Sequence, residues 1–456
     1  MAGIGFELRK ILKKNTLFSY LEAYGLAAII GSGPWALSIL ALLLIGIISI
    51  GRIFPTDLII QFLVMVTYLM AASLILSGFF QLMLTRFISD LIFQQASEDI
   101  VPNLVGCMLV ISSIAYALGL GVSYVTDLPN SIEITMISGL VILNNLWIII
   151  VFLSGMKAYY KILLTLAAGY AIMVGASLLM PTNGLLGLLQ IFVGSQALIT
   201  FLLLIFVFRE FKFRRLISFD FMDSKRAFYS LAFCGLFYNL GVWVDKFVFW
   251  FHPDVSFNVI SIFRASYIYD LPIFIAYLAI IPGMAVFLLH METDFAESNG
   301  KFYDAVRTGA SLDEIFMYKD KMVMDARNSL YQIFKVQGIT LALLLLWSDQ
   351  ILAFLGIDQA YLHLLYVDLV GVSLQVLLMA LLNVLFYLDK RYISLFLISL
   401  MMVLNFGLSW LSIQLGPQFY GYGFAIAMLV STLVGIAFLN RKFAKLEYET
   451  FMLQRS

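Results

Sequence analysis

The sequence predicts an all-α integral membrane protein of about twelve transmembrane helices, and three observations carry that reading. Of its 456 residues, 62% are hydrophobic and 12% charged, against about 45–50% and about 25% in soluble domains. Apolar stretches long enough to cross a bilayer, about 20 residues each, recur from one end of the chain to the other. Lys and Arg gather in alternate connections between those stretches, the pattern that sets orientation in a membrane.

The expected spans are 23–50, 58–84, 101–125, 132–153, 162–180, 185–208, 228–251, 267–289, 333–355, 362–388, 393–415 and 420–439. Turn and charge signals mark their ends, among them Gly51-Arg52, Pro181-Thr182-Asn183-Gly184 and Asp389-Lys390-Arg391. Ahead of them, residues 1–16 place Ile4, Leu8, Ile11 and Leu12 at helical spacing. Arg9, Lys10, Lys13 and Lys14 fall largely on another face, as in a short amphipathic helix lying on a membrane surface. A cleavage site after a short apolar core is not visible, so no signal peptide is expected.

Orientation follows from the cations. Twenty-five of the 28 Lys and Arg residues fall on the side of the N-terminus, Arg52 and Arg264 fall on the other, and Lys246 lies inside a span. One missed helix would scramble that alternation, so both termini are expected in the cytoplasm, with short external loops throughout. The divisions expected are an N-terminal cytoplasmic helix 1–16, a six-helix bundle 17–208, a basic cytoplasmic linker 209–227, a second six-helix bundle 228–440 and a cytoplasmic tail 441–456. The second bundle carries the longest polar stretch, a cytoplasmic loop 291–329 in which segments such as 311–327 could form surface helices. A 6+6 division suggests an internal structural repeat of the kind found in transporters. With zero formal net charge there is no field to attract nucleic acid. Cys107 and Cys234 both sit in apolar runs and read as packing residues, not as a disulfide or metal cluster.

The N-terminus reads Met1-Ala2-Gly3-Ile4-Gly5-Phe6-Glu7-Leu8-Arg9-Lys10-Ile11-Leu12. It is followed by Leu21-Glu22-Ala23-Tyr24 and Gly31-Ser32-Gly33-Pro34-Trp35. This order resembles the PelG family, the membrane transporters of bacterial Pel exopolysaccharide systems, a branch of the multidrug/oligosaccharidyl-lipid/polysaccharide flippase superfamily. The resemblance is sharpest over the first 35 residues; beyond them it consists of the topology and the long connection between spans eight and nine. It implies a flippase-like fold, two six-helix bundles around a central cavity, in the bacterial inner membrane. It also implies export of an N-acetylgalactosamine-rich polymer for a biofilm matrix. The implied partners are a cytoplasmic glycosyltransferase (PelF-like) and two small membrane proteins (PelD-like and PelE-like). No cofactor is implied.

Candidate working residues lie inside the spans. Gly31, Gly33 and Pro34 predict a kink in the first, since Pro removes a backbone hydrogen bond and clashes with the preceding turn; the kink reads as a gating hinge or as a static bend. In the seventh, Asn239, Trp243, Lys246 and Trp250 follow i, i+4, i+7, i+11 spacing and form one stripe, with Asp245 bordering it about 100° from Lys246. Aromatic faces beside polar groups suit a sugar, so the stripe reads as part of a carbohydrate path. The bland alternative makes Trp250 an interfacial residue and Lys246 a side chain that snorkels to the headgroups. Adjacent residues do not face each other on a helix, so Asp245 and Lys246 are expected to find partners on other helices. Asp270, Asp368, Gln375, Asn144 and Asn145 complete the candidate path, beside Gln337, Asn383 and Asn405. Amides of this kind often only bridge helices, at about 0.6 kcal/mol each. A buried carboxylate costs more and reads also as a site for a coupling proton or cation.

Four rivals need weighing. A membrane-embedded acyltransferase would use a buried His; His363 and Asp368 match an H-x-x-x-x-D spacing, but five residues on a helix set them about 140° apart. A glycan polymerase needs a large external loop, which is absent. No H-E-x-x-H, G-x-S-x-G, P-loop or Asp-x-Asp pattern occurs, and no metal site is expected. A cation-coupled multidrug antiporter or a lipid-linked oligosaccharide flippase of the same superfamily stays open.

The orientation is testable by single-cysteine labelling with a membrane-impermeant reagent in intact cells. Cysteines at Ser131 and Gln359 should react, and cysteines at Ser97 and Ser311 should react only after permeabilisation. Labelling of Ser311→Cys in sealed cells would reverse the assigned topology.

Overall fold

A computed structural model describes residues 11, 14, 16–49, 57–155, 159–179, 184–223 and 227–452. The amphipathic helix expected over 1–16, the Gly51-Arg52 turn, Pro181-Thr182-Asn183 and the tail beyond 452 fall wholly or largely outside those residues. Eleven described helices are long and apolar enough to cross a membrane, and a twelfth span results when one bent helix pair is taken together.

In chain order the helices are α1 (Leu17–Ser49), α2 (Asp57–Phe93), α3 (Ile100–Ser123), α4 (Asn130–Gly155), α5 (Tyr159–Leu179), α6 (Gly184–Glu210) and α7 (Tyr229–Phe251). A two-stranded antiparallel hairpin follows, β1 (Phe257–Ile260) with β2 (Phe263–Ala265), in which Asn258 pairs with Arg264. The sequence reading missed this hairpin because its strands are only four and three residues long. Then come α8 (Tyr267–Tyr277), α9 (Ile280–Leu289), α10 (Ala296–Thr308), α11 (Leu312–Leu355), α12 (Leu362–Tyr387), α13 (Arg391–Leu415), α14 (Tyr422–Ala444) and α15 (Leu446–Met452).

Two spans are broken where the sequence carries Pro and Gly. α1 is broken between Phe18–Gly33 and Leu37–Gly46, bracketing Pro34, whose missing N–H leaves the helix ladder a bond short. The span expected over 267–289 is two helices, α8 and α9, with Pro272 inside the first and Pro282 near the start of the second. At the break, the Ala279 carbonyl accepts from Gln337 Nε2 of α11 at 3.0 Å. Nothing else in an apolar medium would satisfy a carbonyl freed from its helix. Gly283 makes the room, since a Cβ there would stand 2.3 Å from Gln337 Oε1.

The polar stretch 291–329 is not a loop. A π-helical turn (His290–Phe295) leads into α10, and a single turn later Ser311 caps α11, its side chain accepting from Glu314 N at 3.3 Å. This is a capping-box spacing, Ser-x-x-Glu, and with Asp313 it puts acidic groups at the positive end of the helix dipole. α11 is 44 residues long, about 66 Å at 1.5 Å per residue. That is roughly twice a hydrocarbon core of about 30 Å, so its polar first half continues past the apolar second half. Ser298 of α10 donates to Asp325 of α11 at 2.6 Å.

The molecule divides into two compact units. One comprises 33–243 and 250–266; the other comprises 1–32, 244–249 and 267–456. In the first, α4 packs against α2, α3 and α6, and α5 packs against α6, around a core that includes Phe62, Phe152 and Phe192. Its connection after α6 is docked on its own chain. Ser218 N donates to Pro102 O at 2.9 Å, and Asn103 holds both Asp220 Oδ2 (3.2 Å) and Phe221 N (3.2 Å). Arg214 and Arg215 pair with Glu98 and Asp99. A Cβ at Gly106 would stand 2.0 Å from Ser218 O, so only glycine admits this close approach.

In the second unit, α14 packs against α12 and α13, α11 against α9, α10 and α12, and α8 against α12. Gly31 of α1 belongs here and faces Leu288 of α9, where a Cβ would meet the leucine Cδ1 at 2.9 Å. α15 is strapped down by charge: Lys319 pairs with Glu447, while Lys390 (2.6 Å) and Lys442 both pair with Glu449.

Burial pushes the Glu449 carboxyl up, but the two lysines outweigh it and hold the group below the usual carboxylate range. A group with a depressed folded-state pKa adds stability above its unfolded value, about 4.3 for Glu, and that stability is lost as pH falls through the folded value. Acid should therefore release α15. Pepsin cleavage around Lys445 should rise steeply below about pH 4 in the native chain, and a Lys390→Met/Lys442→Met variant should already be open at higher pH. Cleavage equal in both proteins across the range would show that the strap holds nothing.

Candidate functional site

α7 carries the candidate stripe, and the structure divides it between two kinds of surroundings. Asn239 donates to Gly235 O of its own helix at 2.9 Å and lies against Gly78 of α2. Trp243 is half-buried, with its ring 6.2 Å from that of Trp250. Trp250 stacks on Tyr68 at 4.6 Å and is 2% exposed, so it is an interior packing residue and not an interfacial one. Tyr68 in turn donates to the Arg264 carbonyl at 2.9 Å, anchoring the hairpin.

Lys246 is 1% exposed, so it does not snorkel. The expectation that Asp245 and Lys246 cannot face each other is overturned: Lys246 Nζ lies 3.0 Å from Asp245 Oδ2 and 3.2 Å from Oδ1. Angular separation of the Cα positions misleads here, because the four-carbon lysine stem is flexible enough to curl its ammonium back. The expected partners from other helices are present too. Tyr269 of α8 donates to Asp245 Oδ2 at 2.6 Å, and Asn405 of α13 donates to Oδ1 at 3.3 Å. Lys246 donates to Tyr277 Oη of α8 at 3.1 Å, and its ammonium sits 4.9 Å from the Tyr277 ring and 5.3 Å from that of Phe424. Phe249 stacks on Tyr269 at 3.9 Å, and Ser409 donates to Asn405 Oδ1 at 3.2 Å. The pair is thus closed on every side by donors, acceptors and ring faces, the condition under which a buried ion pair is tolerated.

Asp368 of α12 differs. It is wholly buried, within electrostatic reach of Lys246 and Asp245, and among the described residues neither of its oxygens finds a hydrogen-bond partner. A charge at bilayer depth costs about 2.5–3.5 kcal/mol on insertion scales, and one lysine cannot neutralise two carboxylates. Gln375, on the same face of α12, has an Oε1 with no hydrogen-bond partner among the described residues. Asp270 is half-buried on α8.

The amides of the other unit take the bland reading. Asn145 bridges α4 to Ser112 of α3 at 2.8 Å, and Asn144 donates to Leu140 O of its own helix at 2.8 Å. His363 Nε2 lies 3.1 Å from Gln418 O, while Asp368 keeps to the charged cluster. Cys107 and Cys234 are buried and form no disulfide. Among the described residues no three His, Cys, Asp or Glu side chains are placed to hold a metal ion. The sequence reading missed Tyr269 and Ser409 as members of the cluster. Tyr269 stands in a Tyr-Ile-Tyr-Asp run that has no periodic signal to single it out.

The PelG family of exopolysaccharide exporters matches residues 1–451. The chain belongs to that family. Its fold is that of the MOP-superfamily transporters. An outward-facing multidrug resistance MATE family transporter superposes with a TM-score of 0.67 at 13% identity, over 94% of this chain and 96% of that one. A MATE protein in its straight conformation gives 0.67 at 14% identity, over 93% and 96%. A MOP superfamily transporter from Pyrococcus furiosus, described as having reversed polarity of its binding pocket, gives 0.61 at 13% identity, over 94% and 96%. Among curated protein sequences nothing matches. The PelG assignment and the fold agree with the resemblance read from the N-terminus. They make the chain a multi-pass membrane transporter of an exopolysaccharide-export family.

In this PelG-family chain the buried pair has a definite energetic signature. Lys246→Met leaves Asp245 charged and without its cation, and should cost about 3–5 kcal/mol. The Asp245→Asn/Lys246→Met double variant removes both charges and should recover most of that loss. Thermal unfolding of the purified proteins in detergent measures both. Equal destabilisation by single and double variants would mean that packing, not charge, makes the site.

Proposed function

We propose that this chain exports a Pel-type, N-acetylgalactosamine-rich polysaccharide from the cytoplasm to the periplasm across the bacterial inner membrane, supplying a biofilm matrix. The observation that carries the reading is the family assignment over residues 1–451. A transporter fold and the sugar-compatible surroundings of α7 support it. The Lys/Arg asymmetry supports cytoplasmic termini. Asn239 and Trp243 stay only half-buried and offer an amide and an indole face to a sugar. A path of this kind binds weakly and at many places, since a polymer must keep moving.

The proposed partners are a cytoplasmic glycosyltransferase, which would feed the growing chain, and two small membrane proteins. The docking segment is best sought in α10 and the polar first half of α11, whose exposed residues include Tyr303, Leu312, Met317 and Met324. The connection 209–227, the other candidate, already spends Arg214, Arg215, Ser218 and Asp220 on contacts within its own chain.

One experiment tests both parts. In cells expressing the synthase, loss of this chain should stop polymer from reaching the medium, and Trp243→Ala at equal membrane abundance should lower export several-fold. In the same membranes, replacing residues 291–329 by a neutral linker should abolish co-purification of the glycosyltransferase. Full export without the chain would refute the transport reading. Undiminished co-purification would refute the docking segment alone.

A further inference from the structure

α14 ends in a patch that the transport reading does not use. Phe438, Arg441, Lys442 and Lys445 follow i, i+3, i+4, i+7 spacing and lie along one face of its last turns and cap. With Ala444, and with Ile393 from the first turn of α13, they line a cavity of about 600 Å³. That volume is in the range of small-molecule sites, about 300–1,000 Å³. The cavity lies wholly within the second unit. Its wall is of two kinds: Ile393, Phe438 and Ala444 are apolar, and three cations stand beside them.

Those cations are only partly matched. Lys442 pairs with Glu449, but Lys390 shares the same carboxylate. Arg441 and Lys445 are exposed, and neither has an ion pair among the described residues. The C-terminal end of a helix dipole favours cations, and Lys and Arg at a span end are ordinary orientation signals. Neither role calls for a cavity or an apolar wall. Here the apolar wall also continues into the span. Phe438 meets Phe396 of α13 edge to face at 5.9 Å. Phe396 and Val403 of α13 and Leu433 of α14 stay exposed, and in a bilayer such residues meet acyl chains.

We propose that this cavity binds the headgroup of an anionic phospholipid from the leaflet that borders it. The phosphate diester accepts from the Arg441 guanidinium and the Lys445 ammonium, and an acyl chain runs past Phe438 along Phe396 and Leu433. A soluble anion would use the cations but leave Ile393 and Phe438 facing water. A zwitterionic lipid brings a cation of its own to a site that already holds an excess. An anionic lipid matches both halves, as basic pockets between helices on the cytoplasmic side do. The Lys/Arg asymmetry supports the cytoplasmic leaflet as its source. The lipid clamps the start of α13 to the end of α14, whichever polymer the exporter carries.

Native mass spectrometry of the full chain, purified in detergent and stripped of lipid, tests this without any substrate. Dioleoylphosphatidylglycerol should bind about tenfold or more tighter than dioleoylphosphatidylcholine. Arg441→Gln/Lys445→Gln should lose most of that preference, while Arg441→Lys, which keeps the charge, should retain it. Lys442 is left in place so that its pair with Glu449 survives. Should the double variant not be monodisperse, Lys445→Gln alone, an exposed change at the helix cap, should still lower the preference several-fold. Lys301→Gln/Arg307→Gln on α10 removes two cations that already pair with Glu297 and Asp304, and should keep the preference in full. Inorganic phosphate should not displace the bound phosphatidylglycerol. Equal binding of the two lipids by the wild type, or an equal loss in both double variants, overturns the proposal. Displacement by inorganic phosphate overturns it too, since the site would then hold a simple anion. Polymer export is not read in this experiment, so its failure and the failure of the transport reading are distinct.

Discussion

A charge removed from water must be satisfied by the surrounding protein, and the second unit is organised by that constraint. Asp245 and Lys246 draw a phenol from α8 to each end of the pair, an amide from α13 and a ring from α14. Remove one member and the rest are stranded, which is why such a pair fixes the placement of several helices while adding little net stability. The same constraint acts on the backbone. Where Pro272 and Pro282 break the eighth span, a side-chain amide from α11 reaches the freed carbonyl, and a glycine is placed to let it in.

Polar chain outside the apolar segments is also tied down, by ordinary surface chemistry. Residues 214–221 fold back on the start of α3 through two ion pairs, a carboxamide and a backbone hydrogen bond. The stretch 291–329 folds into helices because its charges are spaced for capping and for i, i+4 pairs such as Glu297–Lys301. α15 is held by three lysines that come from α11, from the turn before α13 and from α14. A chain with so few charges spends many of them on fastening its connections.

For a transporter, an ion pair satisfied on every side is a rigid object, and rigidity alone moves nothing. Beside that closed pair Asp368 is wholly buried, and neither of its oxygens finds a hydrogen-bond partner among the described residues.

The sequence by itself determined the number, order and approximate bounds of the spans. Each span is a local property: about 20 consecutive apolar residues, closed by Gly, Pro and charge. It likewise showed the kink near Pro34, the polar singularity of α7 and the family, through a short N-terminal order of residues. What it left undecided depends on residues far apart in the chain. Asn405 meets Asp245 across 160 positions, and the helical period that places Asn239, Trp243 and Lys246 on one stripe carries no information about such a meeting. Nor does it show that residues 17–32 group with helices from the second half of the chain. The same period argued against contact between Asp245 and Lys246, because it describes Cα directions and not the reach of a flexible side chain. That Asp368 finds no hydrogen-bond partner among the described residues is likewise a fact of tertiary packing alone, since the absence of a neighbour cannot be written in the residue itself.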